Sequence, residues 1–389
     1  MSSSPRKGPI TVPLTRHVRS TQGTTVAEND KTRHTLLRNR LLVKTAEQAT
    51  ASPVPVTNTI NVYTAQVGVG QPPTSHNLLV DTGSANTWVG AQTTFAPTAD
   101  AKDTGSKLAV QYRSSLVHGE EWTDTVTLGP DLVITGQGIG VASIALGFQN
   151  VDGVLGIGPV GLTQGTTTSG GTVPTVTDTA WNLGLLESKE IGIFFEPPTS
   201  ASDANGELTF GGVNSARFTG SIHYVPITST STASNYVGID QSISYGSSRT
   251  PILTQTSGIV DTGTTLITLP KEAFAAYTAA TGAVTDQTTG FLKVTQAQYD
   301  AMQSLYFTID NVEYEFTKNA QRWPRVLNTA VGGTADGIYL VVGNTGMSAG
   351  SGFDFTNGYV FLERYYTVYD SGSSRFGIAP TEFTFATSN

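Results

Sequence analysis

The sequence predicts an all-β (mainly β) protein folded as two β-barrel-like lobes with a cleft between them, and three observations carry that prediction. Glycine is abundant, 42 of 389 residues, while charged residues make up only 13% and hydrophobic residues 38%; this is the texture of short strands joined by glycine turns. Segments with period-two alternation recur from about residue 60 onward. Finally, the word Asp-Thr-Gly is written twice in one hydrophobic frame, as "LLVDTGSANTWVG" at 78–90 and "GIVDTGTTLITLP" at 258–270. Asp81 and Asp261 therefore lie about one domain length apart, which suggests a duplicated half-barrel whose two copies meet at one cleft.

Taken in order, the chain opens on a polar, basic segment whose apolar patch is "ITVPL". "TLLRNRLLVK" at 35–44 has leucines at helical spacing and predicts a short helix, and "TAEQATASPVP" at 45–55 reads as an exposed linker. "INVYTAQVGVG" at 60–70 reads as a strand ending in a glycine turn, and short strands follow at 76–90, 122–129, 134–143 and 151–158. "KEAFAAYTAATGA" at 271–283 predicts a helix, with "TQAQYDAMQSL" a second. "LYFTIDNVEYEFT" predicts a hairpin turning at Asp310-Asn311. "YVFLERYYTVYDSGSSRFGIAP" predicts two strands joined by a Ser/Gly turn.

Charge is unevenly distributed. Up to Gln48 the chain carries nine bases (Arg6, Lys7, Arg16, Arg19, Lys31, Arg33, Arg38, Arg40, Lys44) against the acids Glu28, Asp30 and Glu47; the remainder holds 13 bases against 27 acids. A basic arm on an acidic body suggests a detachable segment that docks on it. The net charge of −8 argues against nucleic acid as a partner. Absence of cysteine excludes disulfides and thiolate chemistry, and the five histidines have no metal-site spacing. No apolar run is long enough for a membrane helix, and "MSSSPRKGPI" lacks the apolar core of a secretory signal.

The paired words carry chemistry. In each, two aliphatic residues (Leu79-Val80, Ile259-Val260) bury a strand that ends at a carboxylate, and the glycine allows close backbone approach. Two carboxylates meeting across a pseudo-twofold axis share a proton. One then acts as general base on a water and the other as general acid, which hydrolyses a peptide without metal or covalent intermediate. A third Asp-Thr-Gly, at Asp103, follows the polar run "PTADAK" and reads as a surface turn.

On "LLVDTGSANTWVG", "VDGVLGIGP", "GELTFGGVNSARFTGSIHYVPI", "GIVDTGTTL" and "FLERYYTVYD", the chain from about residue 54 onward resembles the pepsin-like aspartic proteases. A proton-sharing carboxylate pair is the known chemistry of that family, pepsin being its standard example. The resemblance implies a bilobal fold with Asp81 and Asp261 as the dyad. It implies that Ser84 and Thr264 bond the outer carboxylate oxygens, and that Thr82 and Thr262, with Gly83 and Gly263, lock the two loops together. It places Tyr112 in a flap over the cleft, with the Trp88 ring nitrogen on its hydroxyl, and Leu79 and Val154 in a central pocket that prefers hydrophobic side chains. Arg113 and Ser115 depart from the glycines usual in the flap, and Thr356-Asn357-Gly358 departs from the aliphatic-aliphatic-Gly element that Val154 to Gly156 satisfies.

The same resemblance implies an arm at 1–51 that pairs by its "ITVPL" strand and blocks the cleft with a basic residue, for which Lys44, then Arg40, is expected. It implies a first lobe at 52–225 and a second at 226–389. The function expected is an acid-active, secreted, monomeric endopeptidase made as a zymogen, with no cofactor or metal, extended polypeptides as substrates and pepstatin-type inhibitors as ligands. The alternative is a non-catalytic binding protein on the same fold with an impaired flap.

Overall fold

The computed structural model describes residues 8–18, 24–40, 61–112, 115–148, 150–200 and 202–387. The two Asp-Thr-Gly words end two matched strands, Thr74–Asp81 and Thr250–Val260. Each is sealed from below by a short parallel neighbour. Leu79, Val80 and Asp81 lie against Val154, Leu155 and Gly156, and Ile259 and Val260 lie against Thr356 and Asn357. Among the described residues the strands form sheets of 13, 7 and 3 strands. The 7-stranded sheet carries the second word and the larger sheet the first.

The larger sheet runs through the whole molecule. The chain-end hairpin, Tyr365–Asp370 with Arg375–Pro380, pairs with Glu190–Phe195, which pairs with Ser202–Phe210. Strands from both ends of the sequence thus share one sheet, and the two lobes are held as one body. Asp310 and Asn311 both adopt positive φ at the tip of the hairpin Leu305–Ile309 with Val312–Phe316, the left-handed pair that fits the twist of a tight hairpin. The helix Lys271–Thr281 ends at Gly282 in the left-handed region. The segment "YVFL" departs from its expected strand: Tyr359–Leu362 is a helical turn, and the strand begins at Tyr365.

The basic arm is part of this architecture. Its strand Ile10–Val18 inserts between Ser202–Phe210 and Asn61–Val69, antiparallel to both. Ile10, Val12, Leu14 and Arg16 form its buried row, so a guanidinium occupies an apolar position in the period-two pattern. Pro13 lies opposite Glu207 in one neighbour and just beyond the ladder with the other, which begins at Leu14. The arm helix is Val26–Asn39, not 35–44: it starts nine residues earlier because Thr25 and Glu28 form a reciprocal cap, a device worth about 1 kcal/mol. Val26, Asp30, Arg33, His34 and Leu37 form its buried face, at the i, i+4, i+7, i+8, i+11 spacing of one helix side. Lys44 and the linker at 45–55 lie outside the described residues.

Candidate active site

Asp81 and Asp261 are both fully buried at the ends of their strands, and their surroundings match atom for atom. Ser84 Oγ donates to Asp81 Oδ2 at 2.6 Å and Thr264 Oγ1 to Asp261 Oδ2 at 2.5 Å. The Gly83 and Gly263 amides donate to the Oδ1 atoms of the same residues at 2.9 and 3.1 Å. Thr82 and Thr262 bond each other's amides and reach the carbonyls of Val260 and Val80 across the axis. A Cβ on Gly83 would stand 2.8 Å from Asp261 Oδ1, and one on Gly263 2.7 Å from Asp81 Oδ1. Only glycine lets the two carboxylates come this close.

Between the carboxylates sits Arg33 of the arm helix. Its Nη2 donates to Asp81 Oδ1 at 2.5 Å and to Asp261 Oδ1 at 2.8 Å, and its Nε donates to Asp261 Oδ2 at 2.6 Å. Burial alone would push this guanidinium down; Asp261 and Asp81 offset that and hold it above its ordinary range. Burial would likewise raise Asp261, but Arg33, Thr264 and the Gly263 amide hold its carboxyl below the ordinary value. The residue in the cleft is therefore Arg33 and not Arg40. Arg40 instead donates from Nη2 to the Leu162 carbonyl at 3.2 Å. Leucine periodicity at 36–42 drew the expected helix, and with it the expected plug, too far along the chain. The available signal was the Thr25-Val26-Ala27-Glu28 capping box.

The arm makes three more contacts in the cleft. The Asp30 carboxylate accepts from the Thr265 and Leu266 amides, the closest at 2.8 Å. His34 Nδ1 lies 3.0 Å from Thr356 Oγ1. Leu37 fills an apolar pocket of Ala85, Leu162, Ala233, Tyr236, Ile259 and Phe353, and its carbonyl accepts from Tyr236 Oη at 2.6 Å.

Over the cleft the hairpin Lys102–Tyr112 with Ser115–Thr127 presents Tyr112. Trp88 Nε1 donates to Tyr112 Oη at 3.0 Å. Phe148, which the sequence did not single out, packs edge-on against both rings at 4.7 and 5.3 Å. Burial pushes the Tyr112 phenol up to about 12, so it stays a neutral donor. Val154 is fully buried in the same apolar cluster, with half-buried Leu79 packed on its rim. Arg113 lies outside the described residues. Asp103 is exposed; it stands in the strand Lys102–Tyr112, where Gly105 at φ +74° makes a bulge, and not in a free turn. Thr356 and Asn357, the polar departure, occupy the same place under Asp261 that Val154 and Leu155 occupy under Asp81. Asn357 and Gln241 exchange two amide bonds, at 2.8 and 3.2 Å, so neither buried amide goes unsatisfied.

Two symmetric carboxylates at the junction of two β-rich lobes define an aspartic peptidase architecture. A model of the eukaryotic aspartyl protease family matches residues 62–381. The chain is 54% identical over 341 residues to polyporopepsin of Irpex lacteus, across 87% of this chain and all of that protein. It is 30% identical to the vacuolar aspartic protease of Candida albicans, across 84% of this chain and 77% of the relative. A crystal structure of the aspartic proteinase from Irpex lacteus superposes with a TM-score of 0.84 at 48% identity, covering 98% of this chain and 100% of that one. The chain belongs to the eukaryotic aspartyl protease family, and it is an aspartic endopeptidase that hydrolyses peptide bonds.

Proposed function

We propose that Asp81 and Asp261 are the catalytic dyad of an acid-active endopeptidase, and that residues 1–51 are a prosegment that keeps it latent. The observation that carries this reading is the Arg33 guanidinium, bonded to both carboxylates at 2.5–2.8 Å. With the arm docked, a cation holds the place a water would take. With the arm gone, two buried carboxylates face each other and one must take up a proton. The ionised partner then draws a proton from the bound water, which attacks the scissile carbonyl, while the protonated partner donates to that carbonyl; the proton drawn from water goes on to the leaving amine. Ser84, Thr264 and the two glycine amides fix each carboxylate's outer and inner oxygens and so its orientation. Tyr112, held by Trp88, closes over an extended substrate whose backbone pairs with the flap and whose alternate side chains enter pockets. Leu79 and Val154 line the apolar one nearest the flap.

The lobes on this reading are 52–225 and 226–389, the enzyme is a secreted monomer, and pepstatin-type inhibitors compete for the cleft. Among the described residues no helix is long and apolar enough to cross a membrane. The test is digestion of a denatured protein at acid pH, with and without pepstatin, by the natural chain and by Asp81→Asn, Asp261→Asn and Asp103→Asn. Loss of activity in the first two, with Asp103→Asn near the natural rate, is expected. Substantial activity in Asp81→Asn overturns the dyad.

A further inference from the structure

Arg33 blocks the dyad, but its neighbour His34 occupies the more unusual place. His34 is 1% exposed. Its ring packs on Phe353 at a centroid distance of 4.9 Å, and its Nδ1 meets Thr356 Oγ1 at 3.0 Å on the strand directly beneath Asp261. An imidazole in this apolar, closely packed slot between the arm and the body is accommodated as the neutral ring. A backbone hydrogen bond at Phe353 and the Asp354 and Asp261 carboxylates favour the proton, but burial and Arg38 outweigh them. On its own helix stand Arg33, committed to the dyad, and Arg38, whose field opposes protonation; Asp30 is bound by the Thr265 and Leu266 amides. From the body, Asp354 and Asp261 face it. Asp354 is already held by Thr256, Gly350 and Ser351, and Asp261 by Arg33.

We infer that His34 is an acid-sensitive latch of the arm: protonation of its ring, buried between Phe353 and Thr356 near Arg38, drives the arm helix off the dyad. The inference rests on the latency reading above and names the group that ends latency. Burial first, then Arg38, pushes His34 in the docked arm down from the ordinary 6.5 to about 4. The free arm therefore binds a proton that the docked arm refuses. For a base depressed in the docked state, docking is undiminished above pH 6.5 and weakens as pH falls from there to about 4, where the effect is complete. The Arg33 lock adds its own acid response: docking holds Asp261 below its ordinary carboxylate value, while the freed dyad takes up a proton, so the His34 contribution is read as the difference between the natural chain and one that lacks the ring.

The test uses the intact chain and fluorescein-labelled pepstatin, mixed rapidly, with probe capture normalised to acid-matured enzyme at each pH. Between pH 7 and pH 4.5 proton uptake by His34 alone increases opening about 60-fold. The natural chain is expected to show at least this rise, and His34→Gln, which keeps a hydrogen-bonding side chain but cannot titrate, to lose that factor while staying masked at pH 7. If the natural chain captures probe at pH 7 as fast as matured enzyme, the latency reading fails. If it is masked at pH 7 and His34→Gln opens over the same pH range by the same factor, latency stands and the His34 latch is overturned. Should His34→Gln leave the arm undocked at pH 7, the decision passes to the ring titration of His34 in the natural chain by nuclear magnetic resonance. A ring still neutral at pH 5.5 while the arm is docked supports the latch, and one titrating near 6.5 overturns it.

Discussion

Thr82 and Thr262 hold each other across the molecular axis: the Thr82 amide donates to Thr262 Oγ1 at 2.9 Å, and the Thr262 amide to Thr82 Oγ1 at 3.0 Å. Each hydroxyl then donates onward to the carbonyl of the opposite strand, at Val260 or Val80. All four groups are buried, so this cage sets the separation of the two carboxylates one residue away.

Thr82→Val keeps the shape but orphans the Thr262 amide and the Val260 carbonyl. A buried unsatisfied polar group costs about 1–3 kcal/mol, so the variant is expected to melt several degrees lower. Its kcat on a peptide substrate should fall at least tenfold with KM little changed, because the dyad spacing and not the binding pockets is disturbed. Thr262→Val should do the same. Wild-type kcat in both variants would show that the cage is structural only.

Arg33→Gln removes the cation between the carboxylates. Hydrogen bonds to charged groups contribute about 1.5–3 kcal/mol each, and three are lost or weakened. The uncleaved variant is expected to hydrolyse peptide at pH 6 at least ten times faster than the uncleaved natural chain, with mass spectrometry confirming an intact N-terminus. Lys44→Gln and Arg40→Gln should stay near natural latency. The pH sign follows from Asp261, whose carboxyl is depressed by Arg33. Docking energy from this pair is fully present only above the raised value at which the freed dyad takes up its shared proton, and it is lost as pH falls from there through the depressed Asp261 value. Natural latency in Arg33→Gln would refute the role of the pair.

Why the dyad was legible and the plug was not is a matter of physics. Asp81 and Asp261 sit in matched apolar frames that dictate a buried strand end, and that frame is readable in one dimension. Arg33 is one of nine bases in the arm, and which base reaches the dyad depends on where the helix starts and which face it buries. That face, with Asp30, Arg33 and His34 between Val26 and Leu37, is mostly polar, so hydrophobic periodicity pointed instead to the leucines at 36–42. Arg16 hid for a related reason: it stands in an apolar strand row, where only the body's Glu363 and Tyr359 reveal why a charge is tolerated. Phe148 carries no motif and is placed solely by the packing of two other rings.

Arg16 anchors the arm at its other end. Fully buried, it pairs with Glu363 at 3.1 Å and lies over the Tyr359 ring at 5.1 Å. Burial pushes the Glu363 carboxyl up, and Arg16 works against that. Arg16→Met strands a buried carboxylate, a change worth about 3–5 kcal/mol. The intact chain should lose stability above pH 6 and recover part of it as Glu363 protonates in acid. Adding Glu363→Gln should restore most of the loss at neutral pH. Thermal unfolding of the two variants at pH 7 and pH 5 checks this, and equal losses at both pH values would exclude a stranded charge.

The reciprocal amides of Asn357 and Gln241 offer the sharpest test of how the second lobe carries its polar departure. Both are fully buried, and Asn357 pairs with Val260 in the strand beside the second aspartate. In the first lobe the matching position is Leu155, which needs no partner. Asn357→Leu therefore removes one half of a closed pair and leaves the Gln241 amide orphaned, at a cost of about 1–3 kcal/mol. It should also shift the strand under Asp261 and reduce kcat. Replacing both residues with leucine removes the polar requirement altogether, and replacement of both partners by apolar groups is close to neutral. The double variant is expected to be more stable than Asn357→Leu alone, with a coupling energy above about 1 kcal/mol in a double-mutant cycle. Additive losses in that cycle would mean that the two amides contribute separately and that the second lobe tolerates Thr356-Asn357 for some reason other than this pair.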